Sequence, residues 1–210
     1  MPIIFAAISP HPPIILPGIG SANDRAQVID TILALDRLGG DLKAVVPDII
    51  VISSPHPDWG FNVPLSFLAG KKLEEDLEDN IRPYLIGLDS PEFYFNEGKN
   101  VYETVIKNSN SRFALVASGD LSHRLKEDGP YGFHPDGPEF DRDLRAALLN
   151  KDIETILGLD EKYPEAGECG LRSFSFMLGI LEASGTDWRA QELSYEGPFG
   201  VGYLVMDFKL

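Results

Sequence analysis

The sequence predicts an α/β protein, a single domain over residues 1–210 built as an α/β/α sandwich around a central mixed, largely parallel sheet. Three observations predict it. Three short apolar runs, Ile3–Ile8, Ile49–Ser53 and Phe113–Ala117, are each stopped by Ser, Pro or Gly and read as buried strands. A helical pattern lies between the first two, which makes the strand–helix–strand unit of a parallel pair with a right-handed crossover. The chain has 210 residues, 43% hydrophobic and 24% charged, an ordinary globular balance with material for one real core.

The elements follow in order. After the first strand, Asn23–Leu38 sets Ala26, Val28, Ile29, Ile32, Leu33, Leu35 and Leu38 at helical spacing, and Gly39-Gly40 are read as its stop signals. Beyond the second strand, Ile81–Ile86 is a further strand, and Val101–Lys107 and Gly137–Leu149 are helical. Leu171–Leu181 is a strongly apolar helix. Trp188–Tyr195 and Gly200–Phe208 alternate as a hairpin or strand pair. Helices are expected on both faces of the sheet.

Charge excludes some functions. A net charge of −15 repels phosphate backbones, so nucleic acid is not an expected partner. The acidic residues gather at 71–80 and between Glu127 and Glu165, and are read as solvated faces. No apolar run reaches the roughly 20 residues of a membrane span. The start, MPIIFAAISPHPP, has no basic region and is not read as a signal peptide. A single cysteine, Cys169, cannot form an internal disulfide, and a cytoplasmic location is expected.

The chemistry is carried by four histidines. His11 lies in Ser9-Pro10-His11-Pro12 and His56 in Ser54-Pro55-His56-Pro57, the same tetrapeptide twice, each time just past a buried strand. His123, in SGDLSH, follows the third strand. Ligands bind at the carboxyl edge of open α/β sheets, so parallel strands would bring three imidazoles to one crevice. The flanking prolines stiffen each loop, which lowers the entropy lost when an imidazole holds a metal. A third donor comes from Glu165–Ser173, a glycine-flanked stretch that opens the apolar helix. Glu168 there would complete the two-histidine, one-carboxylate triad of non-haem Fe(II) enzymes, with Cys169 as a rival that would favour Zn or Cu. Asp120 is read first as a turn cap and second as a residue orienting His123. Tyr131, His134 and Tyr195 are candidate substrate-pocket residues.

These residues resemble a known family over nearly the full length. The SPHP after strand one, SPHPDW after strand two, FNVPLSFLAG, SGDLSH and the ECGLRS helix start, in this order, are similar to the LigB-like superfamily. It contains the catalytic subunits of class III extradiol ring-cleaving dioxygenases and the Memo proteins. The nearest branch is that of the dioxygenase-like proteins associated with the AmmeMemoRadiSam group, with no room here for the extra domain some of them carry. The resemblance implies an Fe(II)-dependent extradiol dioxygenase acting with dioxygen on a catechol-type aromatic. It implies His11, His56 and Glu168 as metal ligands and His123 as the acid/base residue. Its alternative is a Memo-like metal-binding (Cu/Fe) or interaction protein, in which Cys169-Gly170 would supply the third ligand. A homodimer or a small partner subunit is expected on the same grounds. Unlike many dioxygenases of this class, the chain has no histidine between His56 and His123.

Overall fold

The computed structural model describes residues 2–70 and 80–210. The acidic run singled out above thus lies outside the described residues except for Asn80. Six strands form one sheet: β1 (Ile3–Ser9), β2 (Ile49–Ser54), β3 (Ile81–Leu85), β4 (Phe113–Ser118), β5 (Arg189–Glu196) and β6 (Tyr203–Lys209). Their spatial order is β3-β2-β4-β1-β6-β5. β1, β2, β3 and β4 run parallel, while β6 joins β1 antiparallel and β5 pairs antiparallel with β6. The sheet is therefore mixed and largely parallel, and the last two strands are the expected hairpin.

Helices cover both faces. They are α1 (Ala22–Ala26), α2 (Ile29–Val45), α3 (Trp59–Leu68), α4 (Pro91–Val101), α5 (Asp136–Asn150), α6 (Ile153–Leu157), α7 (Leu159–Lys162) and α8 (Leu171–Ser184). Strand side chains alternate between two cores. Phe113, Leu115 and Ala117 of β4 face the α4 and α8 side with Phe95, Phe174 and Leu178. Ala114 and Val116 face the α2 and α3 side with Leu35, Leu38 and Leu65. β1 breaks strict alternation: Ile3 and Phe5 lie on opposite faces, and a register shift between them absorbs the mismatch.

Two readings of the sequence need correction. The Asn23–Leu38 pattern is two helices, because Ser21 closes a capping box on Asp24 and starts a separate short turn, α1. α2 then runs straight through Gly39-Gly40. Gly39 serves packing: a side chain there would press on the Phe67 carbonyl, so glycine lets α2 approach the end of α3. Four of these helices were not anticipated, the short α6 and α7 and the longer α3 and α4. α3 begins directly after the second SPHP, and α4 precedes Val101–Lys107, most of which is a π-helical turn (Tyr102–Ile106) continuing α4.

β1, β4 and β2 are adjacent and parallel, with Ser9 beside Ser118 and Ser53 beside Ala117. Their carboxyl ends consequently release His11, His56 and the Gly119–His123 loop at one edge of the sheet.

Candidate metal centre

His11 is the anchored member. It is 5% exposed, its backbone N–H donates to Asp120 Oδ1 at 3.0 Å, and its Nδ1 lies 3.0 Å from Ser118 Oγ. The Ser118 hydroxyl donates its only proton to the Gly60 carbonyl, 2.5 Å away. It must therefore accept from His11 Nδ1–H. That fixes the tautomer and leaves the Nε2 lone pair free, the arrangement by which an outer hydrogen bond orients a metal-ligating imidazole. Burial, followed by the neighbouring His56, pushes the His11 pKa down against the pull of Asp120, so the ring is held neutral.

The free nitrogen faces two other donors. The His11 and His56 rings meet edge to face with centroids 5.1 Å apart, and Cys169 Sγ lies 3.8 Å from His11 Nε2. One donor atom each from His11, His56 and Cys169 falls within 4.8 Å of the others. Two donors bonded to one ion at about 2.0–2.3 Å stand some 3.5–4 Å apart, so the His11–Cys169 spacing suits a shared ion. Asp120, His123 and Cys169 form a second such group. Cys169 belongs to both.

Cys169 reaches this point because two glycines meet. A side chain on Gly119, at the end of β4, would run into Gly170 Cα at the start of α8. With neither side chain present, Cys169 and Gly170 N–H both donate to the Asp120 carbonyl, at 3.4 and 3.0 Å, and Asp120 N–H points at Cys169 Sγ, 3.3 Å away. Burial and the nearby Asp120 carboxylate push the thiol pKa well up. A metal ion bound at that point would oppose both effects and stabilise the thiolate, as coordination does. The donor set thus fits a metal ion.

Glu168, the sequence's candidate for the third corner, lies outside both donor groups in the structure. Its carboxylate turns to α8, accepting from Leu171 N–H at 2.7 Å and Arg172 Nη1 at 3.1 Å. It satisfies the start of a helix that lacks another cap. Neighbours in sequence at a tight turn point in different directions, and here the cysteine faces the histidines.

A cavity of about 450 Å³ adjoins the cluster, lined by His11, His56, Asp120 and His123 together with Trp59, Tyr131 and Tyr203. His123 stacks on Tyr131 with centroids 5.1 Å apart. Its Nε2 is buried without a hydrogen-bond partner among the described residues. Burial is the main cause lowering its pKa, opposed by Asp120 and reinforced by His11 and His56. Of the three expected pocket residues only Tyr131 lines the cavity. His134 Nδ1 accepts from Asp136 N–H at 3.2 Å and shapes the turn into α5. The Tyr195 hydroxyl donates to Asp141 at 2.6 Å, under the Arg145 guanidinium. Trp59, Val201 and Tyr203 were missed. SPHPDW placed Trp59 three residues after His56, whereas β6 residues reach the site only by pairing with β1.

The model of the family described as the catalytic LigB subunit of aromatic ring-opening dioxygenase matches residues 54–206. The chain belongs to the LigB family. A curated relative, the protein CA_C1420 of Clostridium acetobutylicum, is 29% identical over 94% of this chain and 55% of its own length, so the chain spans about half of that protein. Among solved structures, the protein JW3007 of Escherichia coli K12 shares the fold with a TM-score of 0.60 at 13% identity, covering 97% of this chain and 98% of that one. The description of this family is that of a ring-opening dioxygenase subunit. No helix among the described residues is long and apolar enough to cross a membrane.

Proposed function

We propose that this LigB-family chain is a metal-dependent oxidoreductase of the extradiol ring-cleaving type, acting with dioxygen on a catechol-type aromatic. His11, His56 and Cys169 would hold the metal. One observation carries the reading: two imidazoles and a thiol converge beside an aromatic-walled cavity that a third imidazole, His123, also lines, its Nε2 buried without a hydrogen-bond partner among the described residues. A metal with nothing else to do needs neither the cavity nor the unpaired base.

The bound ion would supply Lewis acidity and a template for the diol and dioxygen. The chain's own residues do the rest. Trp59, Tyr131 and Tyr203 offer flat walls to an aromatic ring, and Pro12, Pro13 and Val201 keep the lining dry. His123, neutral because it is buried, takes a proton from a substrate hydroxyl at Nε2 and returns one later. Asp120 holds the His11 backbone and fixes Cys169 through its own main chain. Fe(II) remains the proposed ion. A thiolate in place of a carboxylate keeps one negative charge among the donors but is softer, and raises the standing of Zn and Cu. A reducing cytoplasm belongs to the same proposal, since Cys169 must stay unoxidised to serve as a ligand.

The Cys169 corner favours a second reading, a Memo-like metal-binding protein without ring cleavage. Protein purified anaerobically and loaded with Fe(II) is assayed for yellow ring-cleavage product over a panel of catechols, with metal measured by elemental analysis. Turnover is expected, with His123→Phe keeping its metal while losing about 100-fold or more in rate. Full metal occupancy with no turnover of any catechol would refute ring cleavage and leave the second reading.

A further inference from the structure

The walls of the cavity carry a charge pattern that bears on what enters it. Among the described residues that line it, no Lys or Arg is present, while Asp58 and Asp120 both are. The basic side chains that follow His123 are committed elsewhere: Arg124 pairs with Glu165 at 2.7 Å, and Lys126 Nζ donates to the Pro198 carbonyl at 2.7 Å. The two acids differ in role. Asp120 is buried and bonded to the His11 backbone. Asp58 is exposed, caps no N–H of α3 with its side chain, and has no ion pair among the described residues. The same cavity is lined by Trp59, 50% exposed, and by Tyr131, 60% exposed, which stacks one face on His123 and leaves the rest of its ring open.

A free carboxylate next to open indole and phenol faces is the chemistry that selects an organic cation. The ring faces attract it by their quadrupoles, with Trp the strongest, and the carboxylate adds a Coulomb term. The same wall, on a chain of net charge −15, repels a carboxylate. We propose that this cavity takes an aromatic ligand bearing an ammonium group, recognised at its mouth by Asp58, Trp59 and Tyr131, and that it discriminates against carboxylated aromatics. The inference rests on the reading of this cavity as the substrate site and names the class of substrate.

The test uses the protein as purified. Trp59 fluorescence is followed while phenethylamine, benzyl alcohol or phenylacetate is titrated in, at low and at high salt. Trp188, 5% exposed, serves as a constant background. The expected result is that phenethylammonium binds about five- to tenfold more tightly than phenylacetate. That preference shrinks at high salt and disappears in Asp58→Asn. Phenylacetate binding as well as the amine, no binding of either, or an unchanged preference in Asp58→Asn would each overturn the proposal. An ammonium preference without opening of any catechol by the metal-loaded protein strikes down ring cleavage and leaves charge selection standing. Turnover that is fastest with a carboxylated catechol does the reverse.

Discussion

Glu168 and Cys169 are adjacent, and their substitution separates structure from ligation. The Glu168 side chain is 8% exposed and bridges Leu171 N–H and Arg172, whose guanidinium also reaches Asp160 at 3.3 Å and the Asp89 carbonyl at 2.6 Å. Burial pushes its carboxyl pKa up, against the downward pull of the Leu171 N–H and Arg172. Glu168→Gln keeps an acceptor for Leu171 but removes the charge that Arg172 faces. Charge-assisted bonds contribute about 1.5–3 kcal/mol, and relief of the buried charge offsets part of that, leaving a loss of about 2 kcal/mol. For a domain of this size that is a fall in Tm of about 4–8 °C. Metal affinity should be untouched. Cys169→Ser should cost more affinity than the roughly 10–100-fold attached to a supporting residue. Calorimetric unfolding and metal titration on both variants read the two effects independently. A Glu168→Gln protein that loses its metal at unchanged Tm, or a Cys169→Ser protein that binds metal normally, would refute the assignment of the third corner.

Three further outcomes are expected. Ser118→Ala frees His11 Nδ1–H and the Gly60 carbonyl in a buried place, so metal affinity should fall about 10–100-fold; a titration matching the parent would show that Ser118 does not set the tautomer. Gly119→Ala drives a methyl into Gly170 and should displace Cys169, lowering metal occupancy while far-UV circular dichroism stays native; full occupancy would contradict the close-approach argument. Asp141, 1% exposed between Ser122 N–H and the Tyr195 hydroxyl, has its carboxyl raised to about 7, chiefly by burial. The folded protein therefore keeps a proton that the unfolded chain releases. Stability is lost as pH rises from about 4 to about 7, by up to about 1.4 kcal/mol per unit. Asp141→Asn removes that slope, so urea midpoints of variant and parent should converge or cross as pH rises through the window; a constant offset would exclude a raised Asp141.

Local pattern carried the strands well, because a buried parallel strand is a short apolar run wherever it lies. It carried the helices less evenly. The α2 pattern was read as ending at Gly39, since a glycine that stops a helix and one that lets a neighbour approach look alike in one dimension. α3 was hidden behind Pro64, a residue that argues against a helix interior and yet lies inside one.

The site divides in the same way. The repeated SPHP and the SGDLSH loop located His11, His56 and His123 from sequence alone, since a histidine released by a parallel strand has only one edge of the sheet to occupy. Sequence also supplied both candidates for the third corner. Which of them faces the histidines was decided by the contact of Gly119 with Gly170, between residues 51 positions apart, and by the pull of Leu171 N–H and Arg172 on Glu168. Adjacent side chains on a turn point in directions set by φ and ψ and by what the next layer offers, and that is a three-dimensional fact. The same holds for Tyr203, which enters the cavity only because β6 lies antiparallel beside β1, and for Tyr195, which β5 carries away from it to Asp141.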